Sequence, residues 1–312
     1  MLAHQTGGPG AVVTLHAALA DAQSSGMRRW LRHAHVHADA ARREWLPRIL
    51  ERLEVPLPDG GLAALRYWNQ TGERPEQWLA AADPVYLEAG MNRLHLHALP
   101  AALSPAADVR AAFDCLAAQL DAAGTGGRFV AVEGTGYLVA ETPLPTAELS
   151  PALAQGAAPE RWLPAPGTAP AFARLLAEVQ MCLHDADVNH RRAAAGAPPL
   201  NALWLWGGGR APARSRRELP LLVGDDPVVR GYWKSAAARA VAWPGSLAAA
   251  RVPAGSDFVA LPPAGDPAGV LAELAEMLRG GALRRLTLLF ADGVSAELRR
   301  GDRLRFWRRA TC

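Results

Sequence analysis

The sequence predicts an α/β protein with an open mixed sheet flanked by helices, and three observations predict it. Near the C-terminus, two apolar runs each turn into an amphipathic segment that opens with Asp-Pro: "LPLLVGDDPVVRGYW" at Asp226-Pro227 and "DFVALPPAGDPAGVLAELAEML" at Asp266-Pro267. Asp caps the orphan N–H groups of a first helical turn and Pro suits its first position, so both runs read as strand, loop, helix. "RLHLHAL" alternates Leu94 and Leu96 with His95 and His97, the period of a half-buried strand. "RRLTLLFA" meets "VSAEL" through Asp292-Gly293, a hairpin signal.

The remaining elements follow in chain order. Residues 1–82 read as a mainly helical region: a loop through Gly10, then a helix near residues 27–54 carrying Trp30, Leu31, Trp45, Leu46, Ile49 and Leu53, divided at Pro47. Residues 83–200 read as an α/β region with a helix capped at Asp108 and two short strands, "RFVAVE" and "GYLVAET", joined through Gly134 and Gly136. Within it, the Pro/Ala-rich stretch 143–170 has almost no periodicity and reads as a loop or linker. From Ala171 to about His184 the apolar spacing is helical again. Residues 201–312 read as a second α/β region that opens on "LNALWLW", a buried strand running into Gly207, Gly208 and Gly209, and that builds most of the open sheet.

Composition narrows the function classes. With 312 residues and 50% hydrophobic content, the chain is long enough for two domains and too apolar for global disorder. The formal net charge is only +3, and apart from Lys234 every basic side chain is Arg, so the basic pI does not point to nucleic acid. The strongest basic run is terminal, with Arg299, Arg300, Arg303, Arg305, Arg308 and Arg309 around Phe306 and Trp307. It reads as an edge strand whose Arg side chains discourage pairing, or as a surface for an anionic polymer. The three cysteines, Cys115, Cys182 and Cys312, show neither CxxC nor metal-ligand spacing, and the first two sit in helical patterns where Cys packs as a small hydrophobe. No leader pattern and no long apolar run is seen, so a cytoplasmic protein without a membrane segment is expected.

Several residue groups carry candidate chemistry. The glycines after "LWLW" could hold a phosphate on free backbone N–H groups or simply make a tight exit loop. His33 and His37 would share a helix face but lack a third ligand, and His95 and His97 would share one side of a strand, facing a wet cleft or solvent. Asp225 and Asp226 end a strand, where they serve as metal carboxylates or as turn and cap. No GxSxG elbow occurs. The densest polar segment is "HDADVNHRRAAAGAPPLNALWLWGGGR", in which Asn189, Arg191, Arg192, Asn201, Gly207, Gly208 and Gly209 form the candidate ligand site, with structural hydrogen bonding as the competing role for the asparagines.

That segment, "ADPVYLEAGMNRLHL" upstream and the terminal "RLRFWRR" together resemble the RpfE-type regulatory proteins, a phosphoglycerate-mutase-like family. More distantly, the chain is similar to the archaeal-type cofactor-independent phosphoglycerate mutases of the alkaline phosphatase superfamily. The resemblance implies a reduced alkaline-phosphatase-like core with the mutase substrate domain, two divalent ions and a phosphoryl-carrying serine. The sequence departs from it: no Asp-Gly strand end with a following serine opens the chain, and no histidine follows His190. Glu88 and Trp206 stand where the mutases carry arginines, while Asn189, Arg192 and Asn201 match. The expectation is a non-catalytic regulatory or interaction protein with no catalytic residue, metal or cofactor, binding a small anionic, phosphorylated metabolite or a protein partner. A metal-dependent phosphoglycerate mutase or phosphatase is the alternative, and nucleic-acid binding through the C-terminus a second.

Overall fold

The computed structural model describes residues 9–22, 28–39, 42–91, 93–119, 127–156, 167, 169–214 and 216–301. The chain begins with β1 (Gly10–Leu15), α1 (Leu19–Ala22), α2 (Arg28–Leu31), β2 (His35–Ala38) and α3 (Trp45–Arg52). It continues through α4 (Leu62–Thr71), β3 (Trp78–Ala89), β4 (Leu94–Ala98), α5 (Ala106–Gln119), β5 (Gly127–Val132), β6 (Thr135–Ala140), α6 (Pro151–Ala154), α7 (Pro170–His184), α8 (Asp187–Ala194) and β7 (Ala202–Gly209). The last stretch holds β8 (Leu221–Gly224), α9 (Pro227–Ser235), β9 (Ala240–Val241), β10 (Phe258–Leu261), α10 (Pro267–Gly280), β11 (Arg285–Phe290) and β12 (Val294–Arg299). These elements form two compact units, residues 1–57 with 214–312 and residues 58–213.

The first unit is a seven-stranded sheet in the order β2-β12-β11-β1-β10-β8-β9. β1 lies parallel between β10 and β11, and β12 and β2 add an antiparallel margin. The sheet is therefore not a product of the C-terminal region alone, because its middle strand comes from the N-terminal region expected to be helical. "GAVVTL" is buried at almost every position, and a strand covered on both faces lacks the alternation that would reveal it. The helix expected over 27–54 is likewise interrupted by β2, and Pro47 sits in the first turn of α3, where no N–H is needed. Both Asp-Pro caps form: Asp226 Oδ1 accepts from Val228 N and Val229 N, and Asp266 Oδ1 from Ala268 N. One sheet face packs Ala11, Val13, Leu15, Phe258, Leu286, Leu288 and Phe290 against Leu271, Leu274 and Leu278 of α10.

The second unit carries a five-stranded sheet ordered β4-β3-β6-β5, with β7 also paired to β3. All its ladders are antiparallel. Val109, Phe113 and Leu116 of α5 and Phe172, Leu175, Val179 and Leu183 of α7 cover Leu203 and Leu205 of β7. The boundary expected at 82/83 falls inside β3, and the one at 200/201 separates β7 from the strand it pairs with. Composition gives no sign of that pairing, because the two strands are joined by the whole of α5 to α8. The stretch 143–170 is partly built into the unit: Ala147 bridges to Trp206, and α6 lies within it. Asp108 lies in the first turn of α5 and not at its cap, and Gly136 lies in β6, opposite Ala131. Among the described residues no helix is long and apolar enough to cross a membrane.

Candidate functional site

The ligand residues expected from sequence are mostly engaged within the second unit. Asn189 donates from Nδ2 to Leu183 O (2.7 Å) and Leu200 O (3.0 Å) and accepts from Leu200 N at 2.8 Å. Asn201 accepts from Leu87 N and donates to Leu87 O, each at 2.8 Å, so its side-chain amide pairs with the β3 backbone as a strand residue would. Arg192, 3% exposed, donates to Pro198 O (2.9 Å), Leu103 O (2.6 Å) and Asp108 Oδ2 (2.6 Å). Arg191 is exposed.

Gly207, Gly208 and Gly209 belong to β7 itself and not to a loop beyond it, and β7 is antiparallel to its neighbour. Gly207 adopts φ +61° where the register with β3 shifts. A Cβ on Gly61 would lie 2.5 Å from Gly209 N, and one on Gly208 would lie 2.5 Å from Trp78 Cζ2. The glycines thus let α4 and Trp78 approach the strand. Asn201 stands at the opposite end of β7, roughly 20 Å from the glycines at about 3.3 Å per residue, so the seven residues do not converge.

The positions that depart from the mutase pattern are also bound locally. Trp206 Nε1 donates to Asp83 Oδ2 at 2.7 Å, and Asp83 pairs with buried Arg66 at 2.9 Å. Arg66 also donates to Tyr137 Oη and Gly136 O. Burial alone would lower the Arg66 pKa, but Asp83 and Tyr137 more than offset it, and the guanidinium is held charged. Glu88 faces His95 in register and pairs with His97 at 2.9 Å. His35 and His37 lie on β2, an exposed margin of the first sheet, so the helical spacing weighed for His33 and His37 does not apply. Among the described residues, no group of three or more His, Cys, Asp or Glu is placed to hold a metal ion.

An open parallel sheet places its chemistry beyond the carboxyl ends of its strands. At that end of the first unit the acidic side chains are committed to structure. Asp226 caps α9, Asp225 accepts from Trp243 N at 3.2 Å, and Asp292 accepts from Leu19 N and Val294 N. Asp39 pairs with Arg43 and with buried Arg48, which donates to Phe290 O and Val294 O and so ties α3 to the hairpin. His16, just past β1, keeps an exposed side and packs edge-on against Trp45 at 5.5 Å. Burial of the rest of the ring lowers its pKa below 6.5, against the raising influence of Asp226. The recess beside it offers about 10 Å³, room for about one water.

The roomier cleft, about 250 Å³, opens at the amino ends of β1, β10 and β11. Arg52 at the end of α3, Glu54 just beyond that helix, Asp257, Arg285, Glu297 and Arg299 line it. Leu286, Leu288 and Phe290 point into the core, so Arg285 and Thr287 alternate onto the other face. Arg285 and Arg299 are direct cross-strand partners, an arrangement of like charges that costs stability. The Arg285 Nε is buried with no hydrogen-bond partner, and among the described residues no ion pair engages its guanidinium. The carboxylates are partly taken: Glu297 by Arg52 at 3.1 Å and Asp257 by Gly10 N at 2.6 Å. The Asp292-Gly293 signal marks the hairpin in the sequence, but a two-residue turn there would set Arg285 opposite Arg300; with residues 291–293 between the strands, the observed register sets it opposite Arg299. The other basic residues of the terminal run, from Arg303 on, lie outside the described residues.

No family model matches the chain, and no curated protein matches it. Among solved structures, it is similar to the cofactor-independent phosphoglycerate mutase from Thermoplasma acidophilum DSM 1728, at 17% identity and TM-score 0.38 over 93% of this chain and 89% of that one. It is also similar to the PH0037 protein from Pyrococcus horikoshii, at 11% identity and TM-score 0.49 over 94% of this chain and 87% of that one.

Proposed function

We propose that this chain is a non-catalytic regulatory or interaction protein of the RpfE, phosphoglycerate-mutase-like type, which binds a small phosphate- or carboxylate-bearing molecule in the cleft around Arg285. The observation that carries the reading is Arg285 itself. A charged side chain with a buried, unpartnered N–H, set opposite a second arginine, costs stability of about 1–3 kcal/mol unless an acceptor arrives. A bound oxyanion supplies that acceptor and relieves the repulsion from Arg299. The lining carries guanidiniums and carboxylates in equal measure, which suits an anionic group flanked by hydroxyl or amine donors better than a bare polyanion. In this reading Asn189, Arg192 and Asn201 act as struts, Gly207 to Gly209 as a close-packing track, and the protein works in the cytoplasm.

Phosphoryl transfer needs cations to neutralise the transferring group, and the commitment of Asp39, Asp226 and Asp292 to structural partners speaks for binding instead. A thermal-shift series with phosphorylated acids tests the proposal, since a ligand at a hundred times its Kd stabilises by about 2.7 kcal/mol. The shift is expected to vanish in Arg285→Gln and to survive in Arg191→Ala. Stoichiometric manganese or zinc in the purified protein, together with turnover of 3-phosphoglycerate, would overturn it in favour of an enzyme.

A further inference from the structure

We propose that Cys115 and Cys182 form a redox-active pair, which a low-molecular-weight aliphatic disulfide converts into an intramolecular disulfide joining α5 to α7. The two sulfurs lie 3.5 Å apart although 67 residues separate them in the chain. A covalent S–S bond is about 2.05 Å long, so closure needs an approach of roughly 1.5 Å, within reach of side-chain rotation. Packing explains why each residue is apolar, since both belong to the cluster that includes Phe113 and Val179. It does not require that two thiols meet.

The pair divides the chemistry unequally. Cys115 is partly exposed, whereas Cys182 is buried, so exchange with an external disulfide begins at Cys115. Its thiolate attacks one sulfur of the oxidant and expels a small thiolate, leaving a mixed disulfide on Cys115. The Cys182 thiol then loses its proton and attacks the Cys115 sulfur, expelling the second small thiolate. Two protein thiols are thereby oxidised, one external disulfide is reduced to two thiols, and the two protons pass to the two leaving thiolates. Burial, and then the neighbouring Cys115, push the Cys182 thiol up to about 12. Closure therefore quickens as pH rises, because only the thiolate attacks. Cys115 lies two helical turns along α5 from Asp108, on the same face. The new bond would fasten the face of α5 that Arg192 already holds from α8.

This inference concerns the second unit alone and stands whether or not the cleft of the first binds a ligand. The test uses the full-length Cys312→Ser protein, incubated with oxidised glutathione, denatured, alkylated and mapped by mass spectrometry without reduction. One peptide pair linked through Cys115 and Cys182 is expected, reversed by dithiothreitol. In Cys182→Ser, glutathione should persist on Cys115; in Cys115→Ser, Cys182 should stay unmodified over the same period. If both cysteines of the parent alkylate fully after oxidation, or if glutathione accumulates on Cys115 without closure, the pair is a packing contact and the proposal fails.

Discussion

Arg192 of α8 and Asp108 of α5 form an ion pair at 2.6 Å, with the arginine almost wholly buried and its other donors spent on Pro198 O and Leu103 O. Removing one partner of such a pair strands the other charge in a poorly solvated place. Arg192→Ala is therefore expected to destabilise the protein by about 3–5 kcal/mol, read as a lower urea midpoint. Arg192→Lys should recover only part, because an ammonium cannot span three acceptors in a planar fork. A variant that keeps its stability but loses a ligand-induced shift would return Arg192 to the binding residues.

Asn189 makes a parallel case. Its amide satisfies Leu200 on both backbone atoms and Leu183 O, and Asn189→Leu leaves those groups unpaired in the interior. A loss of about 1–3 kcal/mol is expected, with amide exchange at Leu200 speeding more than exchange in β5.

The glycine track predicts steric effects. A Cβ on Gly208 meets Trp78 at 2.5 Å and Thr146 Cγ2 at 2.9 Å, and one on Gly61 meets the Gly209 backbone. Gly208→Ala and Gly61→Ala should each cost about 1–3 kcal/mol through overpacking. Neither should alter a ligand-induced shift that depends on Arg285. Loss of that shift with unchanged melting would instead mark the glycines as a phosphate cradle.

How far the sequence reaches is clear from particular elements. The Asp-Pro caps at 226 and 266, the hairpin at Asp292-Gly293 and the alternation around Leu94 are local signals, and each produces the element expected of it. β1 escapes detection because burial on both faces removes the period of two, and its place between β10 and β11 depends on residues more than two hundred positions away. The polar residues around Asn189 were legible as important but not for what. A side chain that recognises a ligand and one that closes a helix–strand connection are chemically identical, and only the position of Leu200, Pro198 and Asp108 separates the two roles.

Asp83 holds Arg66 at 2.9 Å and receives the Trp206 indole N–H at 2.7 Å, so one carboxylate neutralises a buried charge of the second unit. Asp83→Asn keeps the shape but leaves that guanidinium without a counter-charge, for an expected loss of about 3–5 kcal/mol. Arg66→Met in the same background should recover much of it, since the double variant buries no lone charge. Additive losses in the double-mutant cycle would show that the two residues do not act as a pair.

Arg285 is expected to behave in the opposite sense from all of these. Its direct opposition to Arg299 across β11 and β12, and its unpartnered buried Nε, both work against the folded state. Replacing it with Gln removes a like-charge contact worth about 0.2–1 kcal/mol while preserving most of the side-chain stem. Arg285→Gln without ligand should accordingly be as stable as the parent or more so, in contrast with Arg192→Ala. The same substitution should erase stabilisation by phosphorylated acids. A residue whose removal strengthens the empty protein and abolishes the response to ligand is retained for binding at the expense of stability. If Arg285→Gln instead unfolds at lower denaturant, its guanidinium serves the fold, and the cleft loses its reason to attract an anion.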